Sequence, residues 1–401
     1  MRVLLAILLS ATFAAAQTLP AGAVTSLDAL LQRAVQQGTV PGVVAIVANR
    51  DQILYHNAFG LRDAGKQKRM EKDSIFRIAS MTKPVTSAAV MMLQDQGRLK
   101  VDDPVSKYLP AYQDREVIAA LDEQQGTYTT RKAAKEILIR HLLTNTSGFA
   151  YGFSNVTVNR LQAKTGKQPE ELALLYDPGT KWTYSGSTKI LGQVVEKIAG
   201  TRLDEFFNER LFKPLGMPDT SYTVPAEKLD RVVTAHRRQN GALVETPNPE
   251  KVAAPVAGDG GLNSTAADYI KFLQMLLNEG KWRGTTFLSK QSVNSMTKNQ
   301  IGRVVVETQP AADPLRTNPF PIGAGRDKFG FGFQITASNK ENPNLREAGS
   351  YTWAGIFNTH FWVDPKRGIA AVIMMQQLPF YDDGAMKLYQ EFEAALGRDL
   401  R

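Results

Sequence analysis

Strand-type runs occur near both ends of this chain, and the stretch between them is written mainly for helices and loops. Near the start, Val43 to Ala48 is an apolar run, Asn49-Arg50-Asp51 supplies turn chemistry, and Ile53 to Phe59 returns, which predicts a hairpin. Near the end, Phe331 to Ala337, Gly355 to Val363 and Ile369 to Gln376 read as further strands. Ser26 to Gln37 reads as a helix with Leu27, Leu30, Leu31, Ala34 and Val35 on one face, and Gly384 to Leu396 as a closing helix. In the middle, Arg131 to Leu143, Lys189 to Ala199 and Leu203 to Leu211 carry helical patterns. The expected fold is α+β: a discontinuous α/β domain at 17–98 and 247–401, interrupted by a helical region at 99–246.

A hydrophobic share of 43% over 401 residues is enough for a sizeable core. Cysteine is absent, so packing has to supply the stability, and a thiol nucleophile or zinc–thiolate site is excluded. The first residues follow the pattern of an export signal. Arg2 is a positive start, Val3 to Leu9 an apolar run, and Ala14-Ala15-Ala16 a small-residue cleavage site. Residues 1–16 are therefore expected to be a signal peptide, and the mature protein periplasmic or extracellular. The apolar run is short against the ~20 residues a spanning helix needs, and no later segment is long enough. The net charge of +9 comes without a long Lys/Arg run; Lys66-Gln67-Lys68-Arg69 reads as a solvated loop. No nucleic-acid partner is expected.

The first chemical signal is Ser80-Met81-Thr82-Lys83, at the head of a strongly helical stretch that runs to Gln96 and is capped by Gly97. A serine hydroxyl needs a base before it attacks a carbonyl. Serine and lysine three residues apart on a helix share a face, and a helix N-terminus favours negative charge on the serine oxygen. Partial burial would lower the lysine pKa toward that of a usable base. The spacing alone is weak, since about one chance match is expected in a chain of this length. A second copy, Ser295-Met296-Thr297-Lys298, lies among polar residues, whereas Ser80 follows Phe76-Arg77-Ile78-Ala79 and precedes an apolar helix.

Phe76 to Lys83 resembles the first motif of the serine β-lactamase superfamily, in particular class C β-lactamases, family VIII carboxylesterases and D-alanyl-D-alanine carboxypeptidases. Further stretches match that family in order: Gly97 to Val105 with Tyr108-Leu109-Pro110, Ile139 to Phe149, Pro178 to Ser185, Pro214 to Thr220 and Gly260 to Tyr269. The resemblance runs from about Leu27 to the last helix. It implies an antiparallel sheet flanked by helices, with the site in a groove beside a helical region. It also implies that Tyr184 stands at the family's second motif and exchanges protons near Ser80 and Lys83, with either Lys83 or Tyr184 as the resting base. The third motif is matched by Trp353-Ala354-Gly355, the Trp-x-Gly form of the family VIII esterases. The oxyanion hole then falls to the backbone N–H groups of Ser80 and Ile356.

Two departures bear on substrate. Gly186 stands where the family has Asn, and Trp353 where class C β-lactamases have Lys. Without that cation a carboxylate next to the scissile bond would be poorly received, so an ester of neutral acyl type is expected, with Trp353, Gly355, Phe149 and Tyr151 as substrate-binding candidates. The alternatives are a β-lactamase or a D-alanyl-D-alanine carboxypeptidase/D-aminopeptidase-like amide hydrolase, an acyltransferase, or a silent binding protein on the same fold. No G-x-S-x-G, H-E-x-x-H or phosphate-binding loop occurs. The four histidines are scattered, and His141 is expected to be structural. The expected partner is a small ester or amide, with no metal or cofactor; the sequence leaves the oligomeric state open.

Overall fold

The computed structural model describes residues 18–122, 125–338, 340, 342 and 345–399. The predicted signal peptide lies outside them. Its frame is one antiparallel sheet assembled from both ends of the chain. Strands β1 (Gly42–Asn49), β2 (Ile53–Asp63) and β3 (Lys68–Arg69) come from the start. Strands β4 (Lys328–Phe329), β5 (Gln334–Ile335), β6 (Tyr351–Gly355), β7 (Thr359–Asp364) and β8 (Ile369–Met374) come from the end. The order is β4-β5-β6-β7-β8-β1-β2-β3, so β1 joins the two halves by pairing with β8 (Ile46 opposite Val372) and with β2 (Val44 opposite Ala58).

The unbroken apolar run of β1 has a simple cause: both of its faces are covered. Val43, Ala45 and Val47 pack with Leu27 and Leu31 of α1 (Ala21–Gln36) and Leu388 and Phe392 of α5 (Asp383–Asp399). Val44, Ile46 and Ala48 face the larger core, where α4 (Ala266–Leu277) lies across β1 and β8. Helix α2 (Thr82–Asp95) runs through that core beside α3 (Ser187–Ala199), and every residue from Thr82 to Leu93 is buried. A helix covered on all sides reads as apolar all round, which is why this stretch stands out in the sequence.

The structure departs from expectation at four places. The helix predicted at Arg131 to Leu143 is instead a strand, Thr127–Lys132, paired with Glu116–Asp122, followed by a loop and a short helix, Ile139–Leu143. Thr127-Tyr128-Thr129-Thr130 favours an extended chain, and Asp177 pulls the following loop outward by accepting from Arg131 Nη2 at 2.6 Å and Ala134 N at 2.8 Å. A further hairpin, Ala235–Gln239 with Ala242–Thr246, means that 99–246 is not purely helical. The strand predicted from Gly355 to Val363 is broken by a turn in which Asn358 takes φ +60°, a left-handed conformation Asn tolerates, with Nδ2 donating to Gln377 O and Pro379 O at 2.9 Å. Within 331–337 only Gln334–Ile335 pairs, because Gly332 turns at φ +95° against Ser87.

Candidate active site

Ser80 sits in a single 3-10 turn, Ala79–Met81, immediately before α2. Ala79 holds φ +44°, an uncommon conformation for a residue with a Cβ that has to be enforced by its surroundings. Part of the enforcement comes from β6. A Cβ on Gly355 would stand 2.3 Å from Ile78 O, so only glycine lets the end of the strand close on the nucleophile turn. This brings Ile356, just past β6, beside Ser80 on the wall of one cavity. Among the described residues no hydrogen bond engages the backbone N–H of Ser80 or Ile356.

Tyr184 Oη donates to Ser80 Oγ at 2.6 Å, across 104 positions of sequence. Burial pushes the phenol well above its ordinary range. The Asp259 charge acts in the same direction, while the Ser80 hydroxyl and the Trp353 indole N–H, as donors toward a phenolate, would oppose it. Tyr184 is thus a protonated phenol at neutral pH. Lys83 is fully enclosed, and burial lowers its amine to about 8, against the pull of the Asp259 carboxylate, which favours the charged form. Its Nζ lies 5.1 Å from the Tyr184 ring centroid, but its hydrogen bonds run to Tyr151 Oη at 2.9 Å and Asp259 O at 2.7 Å rather than to Ser80. Tyr151 in turn donates to Asp259 Oδ2 at 2.5 Å. Burial and the neighbouring Asp259 charge hold that phenol far above its usual value.

The cavity, of ≈ 270 Å³, is lined by Ser80, Tyr184, Tyr151, Trp353 and Ile356 among the predicted residues. Phe149 and Gly355 do not line it. Phe149 is buried in the core, edge-on to Tyr112 at 6.3 Å, and Gly355 acts through its close approach to Ile78. The second S-x-x-K also stays apart: Ser295 lies near the end of helix Lys290–Thr297, outside the cavity. His141 is structural, as expected, with Nδ1 accepting from Leu138 N at 3.0 Å to cap the helix it starts.

Further residues complete the walls. Phe153 stacks on Tyr151 at 5.0 Å, and Phe320 meets Tyr184 edge-on at 5.5 Å. Asp259 is the unforeseen residue of most consequence. Its signal was a carboxylate set among glycines, Gly258-Asp259-Gly260-Gly261, at the edge of a family-matching stretch. At Gly186, where the family has Asn, a Cβ would lie 2.8 Å from Glu170 Oε1, the movable end of a side chain, and at ordinary contact distance from Tyr151 and Asp259 Oδ2. Among the described residues, no cluster of His, Asp and Glu could hold a metal ion.

The beta-lactamase family profile matches residues 27–396. The chain belongs to the beta-lactamase family. Its relatives include an uncharacterized protein of Mycobacterium tuberculosis, 33% identical over 88% of this chain and 90% of that one. Esterase EstB of Burkholderia gladioli is 27% identical, over 87% of this chain and 89% of its own. A carboxylate methylbutanoyltransferase of Penicillium citrinum is 26% identical over 94% of both. Among solved structures, a simvastatin synthase variant from Aspergillus terreus superposes with a TM-score of 0.81 at 25% identity, covering 95% of this chain and 96% of that one. Within this beta-lactamase family, then, the relatives include both an esterase and an acyltransferase, and the mixed sheet-and-helix frame described above is the family's.

Proposed function

We propose that this protein is a carboxylic ester hydrolase working through an acyl-enzyme on Ser80. The observation that carries this reading is the direct 2.6 Å hydrogen bond between Tyr184 and Ser80, beside an enclosed lysine whose amine is lowered to about 8. Lys83 acts as the base in its neutral form, and the Tyr184 phenol, hydrogen-bonded to Ser80, relays the proton toward it. Ser80 Oγ attacks the ester carbonyl as its proton passes through Tyr184 to Lys83. The carbonyl oxygen becomes an anion held by the Ser80 and Ile356 N–H groups. The carbon–oxygen bond to the alcohol then breaks, and the alcohol leaves with the proton returned through Tyr184. Water repeats the sequence on the acyl-enzyme and releases the acid.

An ester is preferred to a β-lactam because the cavity wall next to Ser80 presents the neutral Trp353 and the Asp259 carboxylate, both poor company for a substrate carboxylate. Intact-mass trapping with p-nitrophenyl acetate beside nitrocefin tests this. Faster acylation by nitrocefin would overturn it. Transfer to an alcohol is a second reading, favoured by the Penicillium relative; mixed-ester product on adding a primary alcohol would reveal it. The leader-like start supports export of the enzyme, and an N-terminus at Gln17 in the secreted chain checks that.

A further inference from the structure

The cavity does not end at the nucleophile. On its β6 side, strand β5 pairs only with Tyr351 and Thr352, so among the described residues no strand covers the outer edge of β6 from Trp353 to Gly355. Directly opposed residues of antiparallel strands share a face. Trp353 lies opposite Phe361 and faces the core with the catalytic groups, whereas Ala354 lies opposite His360 and faces the other way, toward α5. Both faces line the same cavity, which therefore wraps around the free edge of β6 from Ser80 to a lobe bounded by Ala354, His360, Tyr389 and the Arg346–Glu393 pair.

The chemistry of that lobe is specific. Arg346 binds Glu393 through two hydrogen bonds of 2.7 Å and is enclosed with it, so the pair offers an incoming group little net charge. His360, 2% exposed, stacks on Tyr389 with ring centroids 4.5 Å apart, and its Nε2 has no hydrogen-bond partner. A buried polar atom left without a partner costs about 1–3 kcal/mol, and most such atoms are satisfied by water or ligand. Burial keeps the ring neutral, lowering its pKa to about 3, and a neutral imidazole has one donor and one acceptor nitrogen.

We infer that this lobe is a second, polar subsite, in which His360 hydrogen-bonds an uncharged hydroxyl or carbonyl group carried on one arm of the ester. The inference rests on the ester reading of Ser80. It makes the protein selective for esters whose arm is long enough to pass Ala354 and polar at its far end, and it assigns His360 as a specificity-determining residue rather than a catalytic one.

The test compares matched pairs: p-nitrophenyl esters of straight-chain acids of four to eight carbons, plain or bearing a keto or hydroxyl group one carbon from the end, and the corresponding plain and substituted alkyl acetates. One neutral hydrogen bond of ordinary strength predicts a roughly three- to tenfold higher kcat/KM for the substituted partner at one chain length. The preference should fall to about one in His360→Leu and be partly restored in His360→Gln, with melting curves to verify folding. Turnover of these esters with no preference at any length in the wild-type protein overturns the subsite and leaves the ester reading intact. A preference unchanged in a folded His360→Leu protein overturns the assignment to His360. No acylation of Ser80 by any of the esters overturns both.

Discussion

Lys83 Nζ donates to the backbone carbonyl of Asp259 at 2.7 Å, so the buried amine is fixed by the very residue whose carboxylate works against its deprotonation. Burial is the larger influence and brings the amine to about 8. The neutral form therefore gains population as pH rises through 8, and kcat/KM should climb over that range and level off above it. In Asp259→Asn the opposing charge is gone, the amine falls further, and the rise should move to lower pH while Tyr151 keeps an acceptor. A rate profile from pH 6 to 10 on both proteins decides this. An unmoved rise would separate Asp259 from the base.

Tyr184→Phe removes one hydroxyl whose hydrogen bond goes to Ser80. The expected loss in kcat is about 10²–10⁴-fold, the usual worth of a positioned proton relay. The ring contacts with Trp353, Phe320 and Tyr151 remain, so stability should change by only about 1 kcal/mol. Steady-state kinetics beside a melting curve would distinguish a lost proton relay from a damaged core.

The two S-x-x-K copies offer an internal control. Ser80→Ala should abolish both ester turnover and the acyl-enzyme mass adduct. Ser295→Ala, near the end of a helix remote from the cavity, should leave both close to wild type.

Gly355→Ala probes the contact that seats the nucleophile turn. The added Cβ would meet Ile78 O at 2.3 Å and Thr359 Oγ1 at 2.4 Å. Overpacking of that kind costs about 1–3 kcal/mol, and relief by movement of β6 would carry the Ile356 N–H away from Ser80. A lowered melting temperature together with reduced kcat is the expected outcome; a stable, fully active variant would show that the two segments can separate freely.

Much of this arrangement was legible in the sequence, and the exceptions share a physical cause. The run at β1 and the helix after Ser80 announce themselves because burial on all sides leaves an apolar signature, and the ordered motifs through their resemblance to the family. Phe149 was misjudged because an aromatic in a loop looks alike whether it lines a cavity or closes a core. The Thr127–Lys132 strand was masked by basic residues with good helix propensity; it pairs with Glu116–Asp122, and the loop after it is held by Asp177, some 45 positions later. Asp259 and His360 reach the cavity through turns and strand pairing, which no local pattern encodes. Nor could spacing reveal that the Lys83 hydrogen bonds go to Tyr151 and Asp259 instead of Ser80.

Helix α2 has consequences for how such a protein changes over time. With Thr82 to Leu93 all enclosed, the rod beneath Ser80 has almost no outward surface on which a substitution could be harmless. Adaptation to new acyl or alcohol groups is thereby channelled into two stretches of the cavity rim, Phe153 and 321–326, which carry little of the central frame. A mutagenesis library confined to those two stretches should retain a high share of folded members with altered substrate range. One spread along α2 should consist mostly of failures, with few reprogrammed enzymes among them.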